Sequence, residues 1–207
     1  MMDTTTKGRK TSEKKLAKEN ELYDAAYDLF ISKGIHNTAI DDIVKKAGVA
    51  KGTFYLYFKD KYDIMDRIIL KKSAFVLMEA INATESMENY HENKIIENII
   101  YFVDYIIEYF KENKKLLKLI YKNLSWGMYR KAFDEDEHYK VVREKFFGII
   151  NKINFNEEEL KSFETTMFMV IELTGSVCYS SIILEEPDTI DNIKPELFKM
   201  INKMLTD

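Results

Sequence analysis

Between Lys51 and Lys61 the chain concentrates side chains suited to gripping a polyanion and touching flat heterocycles. These are Lys51, Gly52, Thr53, Tyr55, Tyr57 and Lys61, interleaved with Phe54 and Phe58. Phe54 and Phe58 stand four apart, so on a helix they share a face and anchor it inward. Cations and hydroxyls suit phosphate oxygens, and short donors suit base edges. A small residue near the start of such a helix lets its backbone approach a groove. Gly52 lowers helix propensity by about 1 kcal/mol relative to Ala, so something other than folding favours it. The chemistry implied is recognition of double-stranded DNA. The competing reading is an ordinary corner between two helices.

The preceding residues supply the element that would position this helix. Thr38 reads as an N-cap, with Asp41 three residues on in a near capping-box arrangement. Ile40, Ile43, Val44 and Ala47 recur at helical spacing and give one buried face. Gly48 follows as a left-handed C-cap, and Val49 plugs the corner. A second helix, Ala50 to Phe58, then begins.

The segment from Leu22 to Ile69 resembles the DNA-binding domain of the TetR family of transcriptional regulators. The matching residues are Phe30 and Gly34, Thr38-Ala39, Asp42-Ile43, Ala47-Gly48-Val49, Lys51-Gly52-Thr53-Phe54-Tyr55, and Tyr57-Phe58 followed by Lys59 and Lys61. The remainder matches the family only in length and helical character. Ala50 stands where the family usually has a capping Ser, a loss of roughly 1 kcal/mol. Tyr57 stands where His is common. The reading assigns Lys51, Thr53 and Tyr55 to base edges or nearby phosphates, with Gly52 giving close approach. Thr38, Tyr57 and Lys61 are assigned to the DNA backbone.

Catalysis finds no support in the residues. His36, His91 and His138 lie scattered in polar stretches without metal-ligand spacing. There is no phosphate-binding glycine loop and no nucleophile motif. No metal and no cofactor is expected, and the chain is not read as an enzyme. Cys178 is the single cysteine and lies in an apolar run. It reads as a buried small hydrophobe, with a redox sensor as the lesser alternative.

The 207 residues contain two prolines and seven glycines, which suits an all-α protein. Net charge is −4, but it is unevenly spread. Residues 1–72 carry 15 Lys and Arg against 11 Asp and Glu, and residues 73–207 carry 16 against 24. A basic reader joined to an acidic regulatory part has that signature. The expected organisation is a disordered basic arm at 1–12, a three-helix helix-turn-helix domain at 13–59, and a larger helical ligand-binding and dimerisation bundle at 60–207. About nine helices are expected in all. In the arm, Lys7, Arg9 and Lys10 could meet phosphates or serve only as a solvated tail.

Leu22, Ala25, Ala26, Leu29 and Phe30 form one face of helix one, which Gly34 ends. Asp60 caps a long fourth helix carrying Ile64, Ile68 and Ile69. Helix five, about 94–112, is apolar around much of its girth and should be mostly buried. Asn156 caps an eighth helix that runs to about Leu184. It is the most apolar long element, read as too short and too interrupted to span a membrane. Pro195 is placed in the first turn of a last helix with a Leu197, Phe198, Ile201, Met204, Leu205 stripe. No segment reads as a signal peptide, so a cytoplasmic location is expected.

The apolar surplus on the last two helices points to a homodimer, with Gly175, Ser176 and Ser180 small enough for close approach. The resemblance implies that these two helices form the dimer interface and that a small-molecule effector binds among helices four to eight. Candidate ligand contacts are Met169, Glu172, Ser176 and Tyr179 on helix eight, extended by Thr165, with Trp126, Met128, Tyr129 and Phe133 opposite. Glu172 in an apolar run must be paired, either with a cationic ligand or with a Lys or Tyr of another helix. Together these point to a homodimeric repressor, bound to a palindromic operator and released by a lipophilic ligand. The alternatives are a DNA-binding regulator controlled by a protein partner without such a pocket, and a helical carrier or enzyme.

Overall fold

The computed structural model describes residues 4–88, 94–123, 137–150 and 155–206. These form nine α-helices and no strand among the described residues. They are α1 Thr4–Lys33, α2 Ile40–Ala47, α3 Lys51–Tyr55, α4 Lys61–Glu85, α5 Ile95–Glu112, α6 Lys114–Asn123, α7 Glu137–Ile150, α8 Glu157–Cys178 and α9 Ile190–Thr206. A π-helical segment, Tyr179–Leu184, continues α8. The chain divides into two compact units, Met1–Ile69 and Leu70–Asp207.

In the first unit, α1 buries Leu22, Ala25, Ala26 and Phe30 against Ile43 and Val44 of α2, Phe54 and Phe58 around α3, and Ile64, Ile68 and Ile69 of α4. Each set recurs at three or four residues, the spacing of one helical face. The first turns of α4 belong to this core, so the boundary between the units falls inside α4. Tyr23 of α1 meets Phe58 edge-on at 5.2 Å. Arg67 covers the same ring at 5.2 Å while pairing with Asp63 at 3.0 Å.

Helix α1 starts at Thr4, so residues 4–12 of the stretch expected to be a disordered arm are helical. Lys7, Arg9 and Lys10 are good helix formers and no Pro interrupts the stretch, although its Thr residues and Gly8 favour helix less.

The second unit packs α9 against α8 and α5, and α6 against the π segment. The second half of α4 meets α7 through Ala74, Tyr139 and Val142, with Leu70, Leu77, Met78 and Ile81 around them. There the Ser73 and Tyr139 hydroxyls lie 2.6 Å apart. A charge network ties α5 to α9. Lys194 reaches Asp104 and Glu108, both at 2.7 Å, and Lys111 reaches Glu108 at 3.0 Å and Asp191 at 2.7 Å. Burial opposes the charge of Lys194, but the hydrogen bonds to Asp104 and Glu108 outweigh it and raise its pKa.

Three further expectations change, while Cys178 is buried as expected. The turn entering α9 begins at Thr189, so Pro195 lies inside that helix rather than in its first turn. Much of α5 is half-buried within the chain, with Val103, Ile107 and Phe110 on the fully buried line. The α8 helix and its π continuation, Glu157–Leu184, are long and apolar enough by composition to cross a membrane, with mean hydropathy 1.7 over the best window. This differs from the expected reading of α8; in the fold it packs against α9, α6 and α5. Cys178 is buried, and desolvation pushes its thiol up to about 12, so it holds no reactive thiolate near neutral pH.

Candidate nucleic-acid interface

Local chemistry fixes the α2–α3 corner. Gly48 ends α2 at φ 67°, ψ 28°, a left-handed conformation that costs glycine little. The Val49 N–H then donates to the Val44 carbonyl at 3.0 Å. The N-cap of α2 is Ala39, not Thr38, and its N–H donates to the Asp42 carboxylate at 3.2 Å. Lys33 donates to the same carboxylate at 2.9 Å. That bond first, and the Ala39 N–H second, hold the Asp42 pKa below its ordinary value. Thus Asp42, rather than Asp41, closes the cap.

Helix α3 is a single short turn with Ala50 at its N-cap and no side-chain cap, as the sequence implies. Phe54 and Phe58 are buried beneath it. With about 100° per residue, the opposite edge of α3 carries Gly52 and Leu56. A Cβ built on Gly52 would meet nothing within 4 Å, so packing inside the chain does not require glycine there. Leu56 is 78% exposed and Tyr55 53%. Lys51 is exposed and pairs with Asp41 at 2.8 Å, and that hydrogen-bonded partner raises its pKa. Thr53 is half-buried. Lys51, Gly52, Thr53 and Tyr55 therefore share one short helix whose outer side is open.

Three residues expected to hold the DNA backbone make hydrogen bonds within the first unit. Thr38 is 1% exposed, and its hydroxyl donates to the Gly34 carbonyl at 2.8 Å. Lys61 donates to the carbonyls of Ile35, His36 and Thr38 at 2.8, 3.3 and 3.1 Å. It staples the α1–α2 loop to the start of α4. Tyr57 donates its hydroxyl to the Lys15 carbonyl at 3.1 Å, binding the end of the recognition turn to α1. Each is a phosphate-contact type by chemistry, and each also has a tertiary partner within the unit. Leu56 was absent from the sequence-based set, although its position two residues from both Phe54 and Phe58 places it on the outermost line of α3.

Among the described residues, the candidate ligand contacts on α8 do not lie on its buried line. The buried line of α8 is Val170, Thr174 and Cys178, continued by Ser181 and Ile182. Thr165, Met169, Glu172 and Ser176 lie roughly opposite it by helical rotation and are exposed. Glu172 therefore faces outward and needs no buried counter-charge. Both faces of α8 are apolar, so periodicity alone did not show which faced inward. Tyr179 stacks on Tyr121 of α6 at 4.4 Å with planes 16° apart. Gly175 faces Tyr121 too, and a Cβ built on it would stand 3.9 Å from that ring, an ordinary contact, so α6 does not require glycine there. Trp126, Met128, Tyr129 and Phe133 lie outside the described residues.

Residues 22–68 match the model for bacterial regulatory proteins of the tetR family. An uncharacterized HTH-type transcriptional regulator of Bacillus subtilis, YvdT, is 25% identical over 198 residues, covering 91% of this chain and 95% of that protein. An HTH-type transcriptional regulator of Staphylococcus aureus (strain USA300) is 29% identical over 158 residues, covering 75% and 79%. Among solved structures, the fatty acid degradation regulator FadR of Bacillus halodurans superposes with TM-score 0.60 at 18% identity, over 89% of this chain and 94% of that one. The TetR-family repressor FadR of Thermus thermophilus, described in complex with lauroyl-CoA, superposes with TM-score 0.62 at 15% identity, over 91% and 95%. Residues 22–68 therefore carry a tetR-family helix-turn-helix DNA-binding domain, set in an all-α fold shared with solved TetR-family regulators.

Proposed function

We propose that the protein is a homodimeric repressor that holds a roughly palindromic operator through α3 and releases it when a small lipophilic ligand enters the second unit. The observation that carries the DNA-binding part is the open outer side of α3. There the bare backbone of Gly52 sits beside exposed Lys51 and Tyr55. Two copies related by a twofold axis would present two such helices to successive major grooves, about 34–36 Å apart. The apolar composition of α8 supports the second copy, because only 28% of its most apolar window is buried within the chain. The ligand class follows from the apolar, aromatic-rich second unit. It is also supported by two solved relatives, FadR of Thermus thermophilus with lauroyl-CoA and FadR of Bacillus subtilis with stearoyl-CoA. A long-chain acyl thioester is the first ligand to try. As a cytoplasmic regulator, the protein would sample acyl thioesters directly.

The test is a gel shift of the full chain on the DNA upstream of its own coding sequence. Wild type is expected to retard that DNA. Lys51→Ala and Tyr55→Ala should abolish retardation while sedimenting as wild type does. Added acyl-CoA should release the DNA. Unchanged affinity in both variants would refute the site. Retardation that no acyl thioester or lipophilic cation relieves would favour control by a protein partner.

A further inference from the structure

We infer that Leu56 is a specificity-determining residue, reading the C5-methyl group of a thymine in the major groove. This rests on the DNA-binding reading above and adds to it the base that the helix selects.

Isolated exposed hydrophobes are ordinary on protein surfaces, so exposure alone decides nothing. Position does. Phe54 and Phe58 fix the inward direction of α3, and both are buried, at 0% and 2% exposed. Leu56 lies two residues from each, on the opposite edge. Gly52 precedes it by one turn on the same line, with open space where a side chain would stand. A groove wall approaching that bare turn meets Leu56 as the next projecting group. The flanking residues are polar or amphipathic: Lys51, Thr53 and Tyr55. An apolar tip set in a cationic and hydroxylic surround suits DNA better than it suits an apolar protein face.

Leucine carries no donor or acceptor. Against the polar edges of guanine, adenine or cytosine it would strip water without replacing the hydrogen bonds. The thymine methyl is the one apolar group that base pairs present in the major groove. Leu56 should therefore favour thymine, and should do so through contact rather than charge.

The experiment uses the full-length protein and the DNA it selects from a random duplex library. Each thymine of the selected site is replaced singly by deoxyuridine, which removes the methyl group and nothing else. For wild type, one thymine per half-site should show a loss of about fourfold, the effect of exposing one buried methyl-sized group. Leu56→Ala should lose a similar factor on the thymine duplex and nothing further at that position on the deoxyuridine duplex. Leu56 is outside the core, so the variant should keep its circular dichroism and melting. The inference is overturned if Leu56→Ala binds like wild type. It is equally overturned if both proteins lose the same factor at every substituted thymine. Selection of no sequence at all would overturn the DNA-binding reading and this inference together, whereas selection without coupling at Leu56 overturns this inference alone.

Discussion

Lys61 shows how residue type and residue role part company. By type it is a cation beside a DNA-reading helix. By geometry its ammonium group donates to three carbonyls of the α1–α2 loop. A charge-assisted hydrogen bond is worth more than a neutral one, and here one ammonium group closes on three carbonyls of a single loop. Lys61→Met is therefore expected to lower stability by about 1–2 kcal/mol, as read by urea unfolding. It should also weaken DNA binding by loosening α2 and α3. The salt dependence separates this from a phosphate contact. Loss of a direct contact would reduce the slope of log K against log salt by about 0.9, whereas loss of a staple should leave that slope unchanged. Thr38 follows the same logic, with its hydroxyl turned to the Gly34 carbonyl. Such uses depend on chain segments that meet only in three dimensions, and spacing along the sequence carries no trace of them.

At the scale of elements the sequence was most readable where the physics is local. Gly34 and Gly48 end α1 and α2 with positive φ. Asp60 accepts the Tyr62 and Asp63 N–H groups at the head of α4. Asn156 accepts from Glu158 and Glu159 at the head of α8, while Glu159 accepts the Asn156 N–H. Each involves residues within four positions, so composition announces it. The inward face of α8 was not readable, because Val170 and Met169 are equally apolar and only the packing of α9 and α6 chooses between them. The recognition helix gives a direct test at this scale. Gly52 has helical neighbours and open space around it, so Gly52→Ala should raise stability by about 0.5–1 kcal/mol. The same methyl group stands where DNA would approach, so operator affinity should fall. A variant that melts higher yet binds less would separate the folding role of α3 from its reading role. A variant that melts higher and binds equally would remove Gly52 from the interface.

For the whole molecule, charge and hydropathy point to different partners. The basic surplus lies in residues 1–72 and the acidic surplus in 73–207, which suits DNA at one end only. The second unit exposes Phe75, Tyr101, Tyr121 and Val141 on four other helices; on α8 it exposes Met169 at 44% and Ile171 at 39%, with Leu184, 52% exposed, closing the π segment. If a second copy covers them, Met169→Glu should leave helical content intact and convert dimer to monomer in sedimentation velocity. DNA retardation should then fall more steeply than the monomer's own affinity explains, since linked half-sites are lost together. A Met169→Glu protein that remains dimeric would move the interface elsewhere.

The pairing of basic residues inside the first unit also bears on how the protein finds its site. Lys33 and Lys46 already face Asp42 and Asp28, and Lys61 faces backbone oxygens. Cations so occupied release fewer counterions from random duplex, and it is counterion release that holds proteins on the wrong sequence. Residence on non-operator DNA should be brief, with searching by repeated dissociation rather than long sliding.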